Sequence, residues 1–275
     1  MTDLRLLQAG ASELGVVLTD EQLASFSLYI RELLKWNQRA NLTAIVDPDQ
    51  IQTKHFLDSL TCLLAFPVPG SSPGRSGSSA GVSGELTERL NKGAGISCID
   101  VGSGAGFPGV PLKICLPRMR LTLVESVGKR GAFLLHLVRL LKLEETRVLT
   151  VRAEDLARDP SEREQYDVAV ARALSRLAVV AELCLPFCRV GGRVIAPKKG
   201  ELAQEIEEGR AAVRAMGGEY GEIVPVRLSM LEDGRALVVM HKASHTPAQY
   251  PRRAGIPAKR PLLAAAVAGV SRGGR

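Results

Sequence analysis

The sequence predicts an α/β protein: a mostly parallel seven-stranded sheet that ends in an antiparallel hairpin, preceded by a helical subdomain. From residue 96 onward, short apolar runs of strand length alternate with helical stretches, which is the pattern of a doubly wound parallel sheet. A glycine-rich loop follows the first of these runs. The last two runs are joined by turn residues at 232–235 and therefore predict a hairpin.

The first 66 residues show the periodicity of amphipathic helices. Thr19 is a predicted N-cap, and Gln22 three residues later completes a capping-box pattern. A few helices cannot bury their apolar faces alone, so we expect residues 1–66 to pack on the domain that follows. The apolar positions that share one helix face are Leu23, Phe26, Ile30, Leu33 and Leu34.

Residues 67–95 are dominated by Gly, Ser and Pro. Such a composition offers too few apolar side chains to offset the entropy lost on ordering the chain. We therefore expect a flexible linker between the helical subdomain and a second domain at 96–243, with a basic tail at 244–275.

The second domain contains five predicted parallel strands and a terminal hairpin. The strands are predicted at 96–101, 120–125, 146–151, 166–171 and 192–197, and the hairpin strands at 222–229 and 236–242. Helices are predicted between the parallel strands, near 108–116, 127–142, 174–188 and 200–216. Open sheets of this kind bind their ligands at the carboxyl ends of the strands.

The charge is positive, with 36 Lys and Arg against 29 Asp and Glu and a net charge of +7. From residue 243 onward the chain has basic residues and no acid. A basic tail of this kind predicts a polyanionic partner such as nucleic acid, although a merely solubilising tail fits the composition too. The basic positions are Arg252, Arg253, Lys259, Arg260, Arg272 and Arg275.

Composition also argues against several classes of protein. The five cysteines show no C-x-x-C pattern, and none has a histidine at metal-ligand spacing, so we expect no metal site. Cys184 and Cys188, four residues apart, are predicted to lie on one helix face as reduced core thiols. No leader peptide and no bilayer-length apolar run is present, so we expect a cytoplasmic protein without a membrane partner. We separately expect a monomer.

The loop IDVGSGAGFPG (99–109) matches two cofactor patterns. Gly104, Gly106 and Gly109 fit the dinucleotide fingerprint G-x-G-x-x-G, whereas Gly102, Gly104 and Gly106 fit the G-x-G-x-G of proteins that bind S-adenosylmethionine. Glycines allow the backbone to approach a ligand where a Cβ would collide. The loop therefore predicts a cofactor site and leaves its ligand open.

Glu125 ends the second predicted strand, about twenty residues beyond the loop, where an acid can accept both ribose hydroxyls of an adenosine cofactor. This position does not choose between NAD and S-adenosylmethionine. Pro108 favours the latter because it removes an N–H that a pyrophosphate could use. The absence of a downstream His, Tyr or Lys pair suited to hydride transfer points the same way.

Other candidates follow the remaining strands. Glu154 comes after the third strand, where it could reach an adenine amino group or merely favour a helix dipole, and Arg172 ends the fourth. The pairs Lys129 with Arg130 and Lys198 with Lys199 could contact the phosphates of a nucleic-acid substrate or form solvated helix faces.

Eight motifs occur in an order that resembles the 16S rRNA methyltransferase G family, also called glucose-inhibited division protein B. They are WNQRANLT (36–43), HFLDSL (55–60), DVGSGAGFPG (100–109), LVESVGKRGAFL (123–134), RAED (152–155), ARAL (171–174), PKKG (197–200) and YPRRAGIPAKRPL (250–262). The resemblance implies a Rossmann-like S-adenosylmethionine-dependent methyltransferase fold. It also implies methyl transfer to the N7 position of guanine 527 in 16S rRNA, with that rRNA or the small ribosomal subunit as partner.

The resemblance also implies residue roles. Cofactor contacts carry over to Gly102, Phe107, Ala153, Glu154 and Arg172, with Gly104 and Gly106 in the same loop and Glu125 at the ribose-binding position. Asn41 and Asp58 match family motifs and could position the guanine or brace the helical subdomain, and Arg172 is a third candidate for positioning the substrate. The expected RNA-binding residues are Lys129, Arg130, Lys198, Lys199, Arg252 and Arg253.

The implied chemistry needs no catalytic base, because guanine N7 has a free lone pair and loses no proton on methylation. We therefore expect catalysis by alignment of the base with the methyl group and by electrostatic stabilisation. Three alternatives stay open from the sequence: a methyltransferase for another RNA position, an NAD-dependent oxidoreductase and a non-catalytic RNA-binding protein.

Overall fold

The computed structural model describes residues 2–67, 85–91, 95–174 and 176–263. They form a seven-stranded sheet of order β3-β2-β1-β4-β5-β7-β6. Pairing is parallel from β3 through β5, and β7 runs antiparallel to both β5 and β6, which confirms the predicted fold class. The strands are β1 Ser97–Val101, β2 Arg120–Val124, β3 Thr146–Leu149, β4 Tyr166–Val170, β5 Cys188–Lys199, β6 Gly218–Pro225 and β7 Arg235–Lys242.

Buried apolar side chains cover both faces of the sheet, as parallel strands require. Every residue of β1 is buried. Its neighbours β2 and β4 pair with it on either side, with Val101 opposite Val124 and Asp100 opposite Val170. The carboxyl ends of the neighbouring strands β2, β1 and β4 therefore meet at one edge, where the residues that follow them can form a common site.

The N-terminal subdomain packs on one face of this sheet, as expected. The capping box of α2 is present, because Thr19 Oγ1 accepts from the Gln22 N–H and the Gln22 side chain accepts from the Thr19 N–H. Phe26 of α2 is buried in the same core cluster as Leu123 of β2. The subdomain consists of α1 Arg5–Glu13, α2 Asp20–Ala40 and a continuous helical run made of α3 Pro48–Ile51, a π-helical turn Gln52–Leu57, α4 Asp58–Leu60 and a 3-10 turn Thr61–Ala65.

The other helices mostly follow the prediction. They are α5 Glu85–Asn91, α6 Gly109–Cys115, α7 Gly128–Leu140, α8 Ala153–Leu156, α9 Leu177–Cys184, α10 Ala203–Ala215 and α11 Ile256–Lys259. Helix α5 lies inside the predicted 67–95 linker, where Leu90 is buried; residues 68–84 and 92–94 of that range lie outside the described part of the chain.

Two local predictions were wrong. Helix α9 ends at Cys184, a 3-10 turn containing Pro186 follows, and Cys188 begins β5. Proline cannot donate the next helical hydrogen bond, so the two cysteines do not share a helix face, although both are buried and unbridged. The first hairpin strand spans Gly218–Pro225, earlier than the predicted 222–229.

Within the described residues, no helix is long and apolar enough to cross a membrane. The same part of the chain holds no group of three or more His, Cys, Asp or Glu side chains placed to bind a metal ion.

Candidate functional site

The glycine loop follows β1 at the carboxyl edge of the sheet. Gly102, Gly104 and Gly106 have φ values of 73°, 58° and 97°, a region that side chains disfavour. The Gly102 N–H donates to the carbonyl of Val124, which ties the loop to the end of β2. A Cβ on Gly104 would find no heavy atom nearer than 3.9 Å. The backbone conformation of the loop therefore favours glycine at these positions. Above Gly104 there is open space for a ligand.

Gly109 is also constrained to be glycine, although the cofactor residues expected from the sequence were Gly102, Gly104 and Gly106. Its N–H donates to Asp100 Oδ2 at 2.8 Å. A Cβ at this position would lie 2.7 Å from that oxygen and 2.8 Å from a methyl carbon of Leu123. Close packing of helix on strand is the role that the dinucleotide fingerprint gives its third glycine, and this was the signal in the sequence.

Asp100 is a functional candidate that sequence reasoning passed over. It is fully buried, and its second carboxylate oxygen, Oδ1, has no hydrogen-bond partner among the described residues. Burial raises the pKa of this carboxyl group to about 7, and the Gly109 N–H opposes that shift. When ionised, this unpartnered buried oxygen would be complementary to a positively charged ligand bound at the glycine loop.

Glu125 lies directly after β2 and is 4% exposed. One carboxylate oxygen accepts from the Gly104 N–H at 2.9 Å, and the other accepts from the Val127 N–H at 2.8 Å. The structure thus brings Glu125 against the glycine loop, as its predicted site requires. Its contact with a ribose stays a prediction.

Phe107, the aromatic residue of the loop, is enclosed by the N-terminal subdomain. The ring of His55 stacks on it with centroids 4.5 Å apart, and the ring of Tyr29 stacks at 5.3 Å. The Arg172 guanidinium carbon lies 4.9 Å from the same ring centroid. The N-terminal subdomain and the end of β4 therefore share one wall of the site.

Arg172 is held by an ion-pair network. Its Nη1 donates to Asp58 Oδ2 at 2.8 Å, while the other Asp58 oxygen accepts from Arg235 of β7. Arg235 Nε also donates to Asp233 at 2.6 Å. Because both oxygens of the buried Asp58 are bound, this geometry favours bracing, one of its two predicted roles; contact with guanine stays a prediction. Sequence reasoning missed Arg235, which it treated as part of a turn.

His55 is neutral at physiological pH in this environment. Burial, with the neighbouring Arg172 cation, lowers its pKa to about 4. Its Nε2 lies 2.8 Å from the Thr43 hydroxyl. Asn41, by contrast, is exposed and ends α2 in the left-handed conformation, with φ 48°. Asn41 is not among the described residues that contact the glycine loop, so its role in positioning guanine or bracing the subdomain stays a prediction.

Ala153 and Glu154 begin α8 beyond the carboxyl end of β3. The Glu154 side chain is 6% exposed, and its Oε1 accepts from the Gly255 N–H at 2.7 Å. This carboxylate is therefore bound to the C-terminal segment, and a cofactor contact of this pair stays a prediction.

The candidate RNA-binding cations differ in availability. Lys129 and Arg253 are exposed, and Arg130 is half-buried. Lys198 pairs with Glu205 at 2.6 Å, and the exposed Lys199 pairs with Asp233 at 2.7 Å. Arg252 is bound to the buried Glu182, with Nη2 and Oε2 2.6 Å apart. Up to residue 263, the expected tail is thus packed on the domain.

The sheet order and the site define the class of protein. A sixth parallel strand, usual in dinucleotide-binding dehydrogenases, is replaced by antiparallel β7 and β6, and the glycine loop, Asp100 and Glu125 meet at the carboxyl edge. This is the Rossmann-like fold of S-adenosylmethionine-dependent methyltransferases.

Comparisons with known proteins agree. The family model described as rRNA small subunit methyltransferase G matches residues 22–71 and 83–228. Ribosomal RNA small subunit methyltransferase G of Roseiflexus sp. (strain RS-1) is 46% identical over 248 residues, 90% of this chain and 95% of the relative. The Dehalococcoides mccartyi (strain CBDB1) protein of the same name is 45% identical over 254 residues, 92% of this chain and 97% of the relative.

This chain therefore belongs to the rRNA small subunit methyltransferase G family. A solved structure of M. jannaschii TYW2 in complex with AdoMet overlaps with a TM-score of 0.43 and 14% identity, over 57% of this chain and 72% of that one. Family membership decides against the oxidoreductase alternative and identifies the cofactor as S-adenosylmethionine.

Proposed function

We propose that this enzyme methylates the N7 position of guanine 527 in 16S rRNA, acting on that rRNA or on the small ribosomal subunit. The observation that carries the proposal is the site at the carboxyl ends of β1, β2 and β4. There the glycine loop, Asp100, Glu125 and Arg172 meet in a chain whose family is defined by small-subunit rRNA methylation. We propose that the enzyme works as a monomer in the cytoplasm.

The residues present fit S-adenosylmethionine. The space above Gly104 admits a ligand against the backbone, and Glu125 is placed to exchange the Gly104 N–H for ribose hydroxyls. When ionised, the unpartnered oxygen of the buried Asp100 would place a negative charge near a cationic ligand. When bound, this cofactor supplies a methyl group on a positively charged sulfur, open to displacement by a nitrogen lone pair.

The mouth of the site suits a reaction without proton transfer. With a pKa of about 4, His55 is too weak a base to take a proton at neutral pH. Asp58 is bound to two arginines, so its oxygens are engaged. Guanine N7 needs no base, and the work of these residues is then to hold the base in line and exclude water. A guanine within structured RNA must be turned outward to be reached.

Phosphate contacts are assigned, within this proposal, to the exposed cations Lys129, Lys199 and Arg253. Each can neutralise a phosphate without leaving a buried acid unpaired. Arg130 and Lys198 are half-buried and therefore less accessible to a phosphate.

The deciding experiment is labelled methyl transfer to small subunits from a strain lacking this modification, in parallel with naked 16S rRNA, followed by mapping of the modified nucleotide. The expected product carries one methyl group at N7 of guanine 527. Modification of another nucleotide would support the alternative of a different RNA position. Absence of transfer to both substrates would refute the proposal.

A further inference from the structure

The C-terminal segment is bound across the domain. We define the C-terminal strap as residues 246–256. Arg252 donates its backbone N–H and its Nε to Glu182 Oε1, each at 2.8 Å, and its Nη2 donates to Oε2. Glu182 lies on α9 and is fully buried. A charge-assisted, two-pronged contact to a buried acid fixes this part of the strap on α9.

The residues after α8 hold the other side of the strap. Arg163 donates to the carbonyl oxygens of Thr246 at 2.7 Å and Tyr250 at 3.0 Å. Arg158 donates to the Pro251 carbonyl at 2.5 Å. Pro251 is buried, and Tyr250 packs against the core cluster that contains α9. The strap thus bridges the segments that follow β3 and β4.

The strap ends on α8 itself, where the Gly255 N–H donates to Glu154 Oε1 at 2.7 Å. Helix α8 has only 4 residues, and its N-cap, Arg152, makes no side-chain capping hydrogen bond. A single uncapped turn is not stable by itself and depends on tertiary contacts for its position. Its Glu154 side chain is buried beneath the strap rather than free.

We propose that the C-terminal strap is part of the cofactor site: by binding Glu154 it fixes the backbone of Ala153 and Glu154, against which the adenine ring binds. Glu154 is then a positioning residue, and the contact of the strap with Glu154 sets affinity for S-adenosylmethionine, independently of the phosphate contact proposed for Arg253. The inference rests on the proposed cofactor role of these two residues. The family model's match ends at residue 228, before the strap begins.

Two substitutions at one position test this. Glu154→Gln keeps an oxygen that accepts from Gly255, whereas Glu154→Ala removes the acceptor. We expect Glu154→Ala to weaken binding of S-adenosylhomocysteine about tenfold, the value of one charge-assisted hydrogen bond, with Glu154→Gln close to wild type. Calorimetry gives the affinity. Amide exchange of the ligand-free protein should show faster exchange at 153–156 in Glu154→Ala alone.

Truncation supplies an independent measurement. A chain ending at residue 249 loses most of the strap, and a control ending at residue 263 keeps it. We expect the shorter chain to raise the KM for S-adenosylmethionine well above that of the control. Its rRNA affinity is measured separately, because the truncation also removes the exposed Arg253. If the shorter chain does not fold, the comparison of Glu154→Ala with Glu154→Gln still tests the inference.

The contrary outcomes are distinct. Equal affinity and equal exchange in Glu154→Ala and wild type would overturn the inference. Glu154→Gln binding as weakly as Glu154→Ala would also overturn it, because the carboxylate would then contact the cofactor directly. Unchanged cofactor affinity in the shorter chain would also overturn the inference, and a loss of rRNA binding beyond that of Arg253→Ala would then make the strap an RNA contact. Failure of the wild type to bind S-adenosylhomocysteine would instead refute the proposed cofactor function.

Discussion

Asp58 and Arg172 are 114 residues apart in the chain, yet Arg172 Nη1 donates to Asp58 Oδ2 at 2.8 Å. The pair is largely buried, with side-chain exposures of 11% for Asp58 and 13% for Arg172. It joins the helical subdomain to the end of β4 and holds the guanidinium over Phe107. The wall of the site around Phe107 is therefore formed jointly by the helical subdomain and by the residues that follow β4.

The first prediction concerns this pair. Asp58→Asn removes the negative charge shared by Arg172 and Arg235 while keeping the side-chain shape. Breaking a buried pair leaves uncompensated charge, so we expect the free energy of unfolding in urea to fall by about 3 kcal/mol, and methyl transfer to fall with it. The matched control is Glu207→Gln, whose exposed pair with Arg210 should contribute less than about 1 kcal/mol. Equal losses in both variants would contradict a special role for Asp58.

The second prediction uses pH. Burial raises the Asp100 pKa to about 7 from 3.8, so the folded state favours the neutral carboxyl group. This contribution to stability is complete below about pH 4 and is lost as pH rises through about 7. Asp100→Asn stays neutral, so its stability relative to wild type should rise between pH 4 and 7, on the order of 4 kcal/mol in total, and level off above.

Urea unfolding of ligand-free protein across that pH range measures this difference. The exposed Glu219→Gln serves as the control, with a flat difference expected. A pH-independent difference for Asp100→Asn would show that Asp100 is ionised throughout.

The third prediction separates folding from binding within the glycine loop. Gly109→Ala places a Cβ 2.7 Å from Asp100 Oδ2, so we expect a loss of about 1–3 kcal/mol in stability. Gly104→Ala meets open space but has φ 58°, so we expect about 1 kcal/mol of strain and a larger loss of S-adenosylhomocysteine affinity. Gly128→Ala, with nothing within 4 Å, is the control. Normal cofactor binding by Gly104→Ala would exclude the loop as the ligand's contact surface.

The fourth prediction concerns RNA. Lys129→Ala and Arg253→Ala each remove an exposed cation, so each should weaken rRNA binding and lower the salt slope by about 1. Arg252→Ala should instead destabilise the fold by about 3 kcal/mol, because Glu182 would be left buried and unpaired. Filter binding across a salt series and thermal unfolding separate the two effects. A salt slope unchanged in the first two variants would remove these residues from the RNA interface.

Much of the fold was predictable because it depends on local patterns. Alternating apolar runs and helical stretches gave all seven strands, and the capping box at Thr19 correctly marked the start of α2. Errors arose where one residue interrupted a longer pattern. The helical pattern predicted through residue 188 ends before Pro186, and Cys188 belongs to β5 instead of α9. The first strand of the terminal hairpin was also misplaced. Its pairing with β7 is irregular between Tyr220 and Ile223, which no turn signal in the sequence marks.

The sequence by itself determined the fold class, the family, the glycine loop and the position of Glu125, since each is set by the order and spacing of residues in short segments. Only the tertiary structure decided which charges meet. It paired Asp58 with Arg172 and Arg235, left one oxygen of Asp100 free, and bound Arg252 and Gly255 to buried acids. These contacts join segments far apart in the chain, so their partners depend on the packing of the whole domain, which no local pattern encodes.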